Sequence, residues 1–258
     1  MGMEQTILLQ RGKLNIPCKL SWPDDHPASQ VVLGVHGFGG SMDDAIQASI
    51  AEEMAMFYDA TVRFDFPAHG QNTEERFTLE LCQQTLLEVA AYAKERFPQV
   101  PDLCIFATGF GAYVTLSVLD KLLELPGQIR LVVQTPGVRM HETLLSMLRV
   151  SRETLRVMER KVLQAPRPIE ITYRFYKELE GNIVLTTQQI PMLILHSEQD
   201  GYIRREDIQN FRRINEGSKL VIIPGTSHRF LEEGAWDMVL DLTRDWFTFQ
   251  QVLLCDWQ

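Results

Sequence analysis

Cysteine is scarce in this chain: four among 258 residues, at Cys18, Cys82, Cys104 and Cys255, with no C-x-x-C pair. Such scattered thiols make neither a disulfide framework nor a zinc site, and no H-E-x-x-H or other His/Cys spacing replaces them. Neither a metal nor a cofactor is expected. Long apolar runs are missing too. None approaches the roughly 18 residues that a membrane-spanning helix requires, and no basic region leads into an apolar stretch as in a signal peptide. A cytoplasmic location follows as an expectation. Positive charge is in deficit, with 25 Lys and Arg against 34 Asp and Glu and a net charge of -9. That is the wrong sign for gripping a phosphate backbone, so no nucleic-acid and no membrane partner is expected. Met1-Gly2-Met3-Glu4-Gln5-Thr6 fits the bare myristoylation pattern, but so short a pattern does not support lipidation. Internal repeats and low-complexity segments are absent.

What is present is ordinary globular material, 45% hydrophobic and 23% charged, enough for one domain over residues 1–258 with a large core. Thr6 to Gln10 and Lys13 to Trp22 read as two strands joined at Arg11-Gly12. Val31 to Val35 is a continuous apolar run, as expected of a strand covered on both faces. A helix is predicted from about Asp43 to Tyr58, a strand from Thr61 to Phe64, and a long amphipathic helix behind the N-cap Thr78. Ile129 to Val133 makes another buried strand, ending at Gln134-Thr135-Pro136-Gly137. From Val138 to about Gln188 the pattern changes. Leu144, Leu145, Leu148, Leu155, Met158 and Val162 recur at helical spacing among many charges, which predicts an inserted helical cap with a short hairpin around Ile169 to Phe175. The charges from Arg149 to Lys161 read as a solvated helical face. Core patterning resumes with strands at Met192 to Leu195 and Lys219 to Ile223, separated by a helix near Arg205 to Ile214. A closing helix runs from about Gly234 to Phe249. Strands alternating with helices predict a mostly parallel sheet with helices on both faces.

The stretch Cys104-Ile105-Phe106-Ala107-Thr108-Gly109-Phe110-Gly111-Ala112-Tyr113 is a strand, a tight turn of small residues and a helix start. It occupies the frame of a nucleophile elbow, G-x-S-x-G, with glycine at the apex. In an open α/β sheet, ligands bind beyond the carboxyl ends of the strands. Here those ends carry His36 to Gly40, Thr108 to Gly111, Gln199 to Gly201, and Ser227 to His228. The glycines of the first loop, Gly37 and Gly39 among them, let the backbone approach a ligand closely.

Over nearly its whole length the chain resembles the α/β-hydrolase superfamily. His-Gly-Phe-Gly-Gly, Arg-Phe-Asp-Phe-Pro-Ala-His-Gly and a cap between elbow and acid look most like bacterial cinnamoyl or feruloyl esterases. Their elbows resemble Ala-Thr-Ser-Phe-Gly-Gly, from which this sequence departs at Gly109 and Ala112. The resemblance implies an α/β-hydrolase fold, Asp200 as triad acid and His228 as triad base, with the nucleophile position vacant at Gly109. It also implies hydrolysis of small or aromatic acyl esters. The amides of Phe38 and Phe110 are the candidate oxyanion donors. Gly37, Gly39, Thr108 and Tyr173 are candidate pocket residues, with Phe175 and Tyr176 beside Tyr173. Two readings remain open. One is an esterase that is weak because only water activated on His228 can attack; the other is a non-catalytic pseudo-hydrolase that binds a small ester or aromatic acid. A homodimer is left open.

Competing readings carry less. Gly109-Phe110-Gly111 begins a dinucleotide fingerprint, but the third glycine position is Val114 and no acidic residue ends the next strand. Thr108 should leave the elbow in another direction, and Cys104 reads as a buried apolar residue. Ser197 and Ser227 precede no helix that could supply an oxyanion donor. His36 and His69 read as structural loop residues, and His196 as a strand-end residue.

Overall fold

The computed structural model describes the backbone of residues 2–255 and side chains as far as residue 248. Met1 and the Cys255 side chain lie outside that description. Ten strands and nine helices alternate within it. The hairpin of β1 (Gly2–Arg11) and β2 (Leu14–Pro23) is followed by β3 (Val31–Val35), α1 (Ala45–Ala55), β4 (Ala60–Phe64) and α2 (Leu79–Arg96). Next come β5 (Leu103–Thr108), α3 (Gly109–Ser117), α4 (Leu119–Leu122) and β6 (Ile129–Gln134). An inserted segment holds α5 (Met140–Leu148), α6 (Arg152–Met158), β7 (Arg160–Leu163), β8 (Ile169–Thr172) and α7 (Tyr173–Gly181). The chain returns through β9 (Met192–Gln199), α8 (Arg205–Ile214), β10 (Lys219–Ser227) and α9 (Ala235–Cys255).

Eight strands form one sheet in the order β1-β2-β4-β3-β5-β6-β9-β10. β1 and β2 are antiparallel to their neighbours, and every pairing from β4 to β10 is parallel. The central strands read as unbroken apolar runs because helices cover both faces, and alternate residues serve two cores. Leu33, Ile105 and Leu131 face the core that includes Leu86 and Val89 of α2. Val32, Cys104, Phe106, Val132 and Leu193 face the other core, with Ile50 and Met54 of α1 and Val239, Trp246 and Phe247 of α9. As predicted, Thr78 caps α2, its Oγ1 accepting from the Leu81 amide at 3.2 Å. No helix of the described residues is long and apolar enough to cross a membrane.

The inserted segment differs from expectation in its hairpin. β7 and β8 pair antiparallel from Arg160↔Thr172 to Leu163↔Ile169, so part of the charged stretch is strand, and Tyr173 to Phe175 open α7. The reason is local: Thr172 Oγ1 accepts from the Phe175 amide at 3.1 Å, a side-chain cap that starts a helix there.

Candidate active site

The parallel strands all deliver their carboxyl ends to one edge of the sheet, and the unusual residues gather there. β5 passes into α3 with no intervening loop, and Gly109 takes the turn at φ +49°. A Cβ on Gly109 would meet only the Gly37 Cα, 4.0 Å away. Gly111 is different, because a Cβ there would lie 2.3 Å from the His36 carbonyl oxygen, so α3 can pack this close to β3 only as glycine. The Phe110 amide belongs to the first turn of α3 and has no intrahelical acceptor.

The loop after β3 is braced by two buried histidines. His36 Nδ1 donates to the Gly37 carbonyl at 2.8 Å, and its Nε2 accepts from the Phe66 amide at 3.1 Å, which fixes a neutral ring. Burial, together with the nearby His69, pushes the His36 pKa down to about 3. His69 lies 2.8 Å from the Pro67 carbonyl through Nδ1, and burial lowers its pKa to about 4. Phe38 stacks on Phe110 with ring centroids 4.1 Å apart and planes 15° from parallel. The two residues whose amides are the oxyanion candidates thus hold each other through their side chains.

Acid and base come together across the ends of β9 and β10. His228 Nδ1 lies 2.7 Å from Asp200 Oδ2, which leaves Nε2 for the space in front of the ring. Asp200 Oδ1 accepts from the amides of Tyr202 at 2.8 Å and Ile203 at 2.9 Å, so the carboxylate is fixed on both oxygens. Burial works to raise the Asp200 pKa. The hydrogen bond and charge of His228 and the two amides outweigh it, and the carboxyl sits below its ordinary value. Tyr202 meets the His228 ring edge-on at 5.1 Å. Behind the pair, His196 is fully buried with Nδ1 4.0 Å from Asp200 Oδ2; neither of its ring nitrogens has a hydrogen-bond partner, and burial lowers its pKa.

A cavity of about 330 Å³ opens over these elements, near the lower end of the size range of small-molecule sites. Gly37, Phe38, Gly39, Thr108, Gly109, Phe110 and His228 all line it.

No protein-family model matches the chain, and no curated protein does. Solved structures do match. Est1E from Butyrivibrio proteoclasticus with ferulic acid bound superposes with a TM-score of 0.77 at 20% identity, covering 93% of this chain and 96% of that one. Alpha/beta hydrolase domain-containing protein 10 from mouse gives 0.75 at 16% identity, over 95% and 98% of the two chains. The esterase domain of a Rhodothermus marinus protein gives 0.71 at 17% identity, over 95% and 97%.

The chain has the α/β-hydrolase fold. Within that fold, Asp200 stands behind His228 rather than in the cavity wall. Tyr173 is corrected: it lies outside the cavity lining and stacks on Tyr176 at 5.7 Å. The insertion meets the cavity instead through Met140, Thr143 and Met147 of α5 and through Gln164, Ala165 and Pro166 between β7 and β8. Of the four side chains that could substitute as nucleophile, Thr108 lines the cavity, while Cys104, Ser197 and Ser227 do not. The Cys104 thiol is buried, donates to Gln30 Oε1 at 3.0 Å, and has its pKa raised by that burial. Gln134, Thr135 and Trp236 also line the cavity and were not expected there. Gln134 and Thr135 end a predicted strand, which is the one sequence signal they carry.

Proposed function

We propose that this α/β-hydrolase-fold chain is a catalytically impaired carboxylic ester hydrolase acting on small or aromatic acyl esters. The observation that carries the reading is the 2.7 Å contact of His228 with Asp200 at a cavity that also reaches Gly109. With no apex hydroxyl, an acyl-enzyme cannot form at residue 109. His228 Nε2 instead removes a proton from water, and the resulting hydroxide adds to the ester carbonyl carbon. The carbonyl oxygen takes the negative charge against the amides of Phe38 and Phe110. When the tetrahedral adduct collapses, the carbon–alkoxide bond breaks and His228 returns its proton to the departing alcohol. Where serine-hydrolase sites have lost triad members, binding and the oxyanion hole alone sustain roughly 10³ to 10⁴ over the reaction in water. Slow turnover is the expected result. We read residues 138–188 as the cap, since α5 and the β7–β8 turn supply a wall of the cavity.

Hydrolysis of p-nitrophenyl acetate and methyl cinnamate tests the proposal. Turnover above buffer that disappears in His228→Ala supports it. Equal turnover in His228→Ala, or none in either the native chain or Gly109→Ser, overturns it.

The open space above Gly109 favours a second reading, in which the cavity holds an ester or aromatic acid without cleaving it. An aromatic acid is a reasonable first probe because Est1E holds ferulic acid. This reading expects the ligand to raise the melting temperature and to be recovered intact.

A further inference from the structure

The polar groups around Asp200 extend below the cavity. By strand alternation His196 of β9 shares a face with Ile194, in the core that also holds Ile203, Ile208 and Phe211. Its side chain is fully buried, and neither ring nitrogen has a hydrogen-bond partner among the described residues. A neutral imidazole carries one donor and one acceptor, and buried polar atoms are almost always paired. An unpartnered histidine here is therefore costlier than an apolar residue of the same size. Three charged or titratable groups face it: Asp200 just past the end of its own strand, His228 just past the end of β10, and Arg205 at the start of α8.

The carboxylate it faces has room for one more donor. An ionised carboxyl group offers about four acceptor places. Asp200 Oδ1 accepts from the amides of Tyr202 and Ile203, and Oδ2 accepts from His228 Nδ1 at 2.7 Å. One place on Oδ2 is left, and His196 Nδ1 lies 4.0 Å from that same oxygen. This separation is too long for a hydrogen bond. It is short for an N–H dipole aimed at a negative charge, and burial of both side chains strengthens that attraction. The other neutral tautomer would turn a bare ring nitrogen, itself electron-rich, towards the carboxylate.

We infer that His196 is a positioning residue for the acid–base pair: it carries its proton on Nδ1, directs that N–H at Asp200 Oδ2, and shares the oxygen's charge with His228 Nδ1. One carboxylate oxygen then serves two imidazoles, one at the cavity and one in the core. The second donor draws on the same oxygen, so the bond to His228 is weaker than Asp200 alone would make it. The carboxylate also keeps a donor when the His228 ring turns away. This rests on the reading of His228 as the base, but the contact with His196 is measurable whether or not the chain cleaves an ester.

The test is nuclear magnetic resonance on the full chain with isotope-labelled histidine, at about pH 8, where ordinary imidazoles are neutral. Proton–nitrogen correlations should show His196 protonated at Nδ1 and bare at Nε2. In Asp200→Ala the proton should move towards Nε2, the tautomer that a free imidazole favours. His196→Phe should carry the His228 Nδ1–H resonance downfield, because Oδ2 then serves one imidazole. His196→Asn, whose amide N–H takes the place of Nδ1, should bring the resonance back towards its native position. A histidine that only fills space would leave that resonance unmoved in both variants, which overturns the inference. A native His196 protonated at Nε2 overturns it with no variant needing to fold, as does an Nδ1–H tautomer that persists in Asp200→Ala. Absence of ester turnover, with these signatures present, counts against the hydrolase reading alone.

Discussion

Gly109 takes a left-handed φ of +49° at a turn where an added side chain would meet nothing closer than 4.0 Å. Space therefore admits serine, and only the backbone resists it. A residue with a Cβ in that region costs on the order of 1–3 kcal/mol, and for a chain of 258 residues each kcal/mol moves the melting temperature by roughly 2–4 °C. Gly109→Ser should melt several degrees below the native chain, by differential scanning calorimetry, while gaining ester hydrolysis and covalent labelling by a fluorophosphonate. An unchanged melting temperature would remove strain from the account. Gly109 was placed by the apolar run of β5 that leads into it, whereas the strands before Asp200 and His228 continue past their apolar runs to Gln199 and Ser227, and it was the resemblance that pointed to those two residues. Gln134 and Trp236 were not legible, since a glutamine at a strand end or a tryptophan on a helix looks the same whether or not a cavity faces it. Tyr173 lies off the cavity because the stretch read as a hairpin around Ile169 to Phe175 becomes helix α7 from Tyr173 onward, where its ring stacks on Tyr176.

Four charged side chains close a ring between α5 and α8. Asp207 accepts from Arg139 Nε at 3.0 Å and from Arg204 Nε at 2.9 Å; Glu142 accepts from Arg204 Nη2 at 2.9 Å and from Arg139 Nη1 at 3.3 Å. The ring joins the insertion to the segment that carries Asp200 and Tyr202, so it fixes two walls of the cavity relative to each other. Its members are not equal. Glu142 is 43% exposed at the side chain and Asp207 only 11%. Exposed pairs contribute about 0–1 kcal/mol, and removing a buried partner costs more. Asp207→Ala should therefore lower the denaturant midpoint further than Glu142→Ala, and should speed amide exchange in α5. Equal midpoints for the two variants would mean that the ring does not hold the insertion. At this scale the sequence was clearest where both faces of a strand are buried, as in β3, β5 and β6. It shortened β1, read from Thr6 but running from Gly2, because the early residues of that edge strand are exposed and carry one large apolar side chain, Met3, itself half exposed. Those residues join the sheet through backbone pairing, Gly2↔Pro23 onward, which leaves no hydrophobic alternation to read.

For the molecule as a whole, the buried histidines that brace the loop after β3 make folding sensitive to acid. An unfolded histidine binds its proton near pH 6.5, whereas burial holds His36 neutral down to about 3 and His69 down to about 4. Across that interval the unfolded chain binds more protons than the folded one, so the two rings contribute full stability above about pH 6.5 and lose it as pH falls. Asp59 works in the opposite direction. Burial raises its pKa to about 6, so the folded chain takes up that proton first and gains stability below about pH 6. The histidine contribution is isolated by comparison rather than by a single profile. His69→Phe keeps the aromatic packing against Phe38 and Phe77 while removing one titrating ring. Its melting temperature should fall less between pH 7 and pH 5 than that of the native chain, even if the variant is less stable at neutral pH for want of the Pro67 contact. The same slope in both proteins would show that His69 does not set acid stability. A smaller slope in the variant would tie the acid response to the loop that presents the Phe38 amide, and the hydrolysis attributed to His228 should then decline over the same interval.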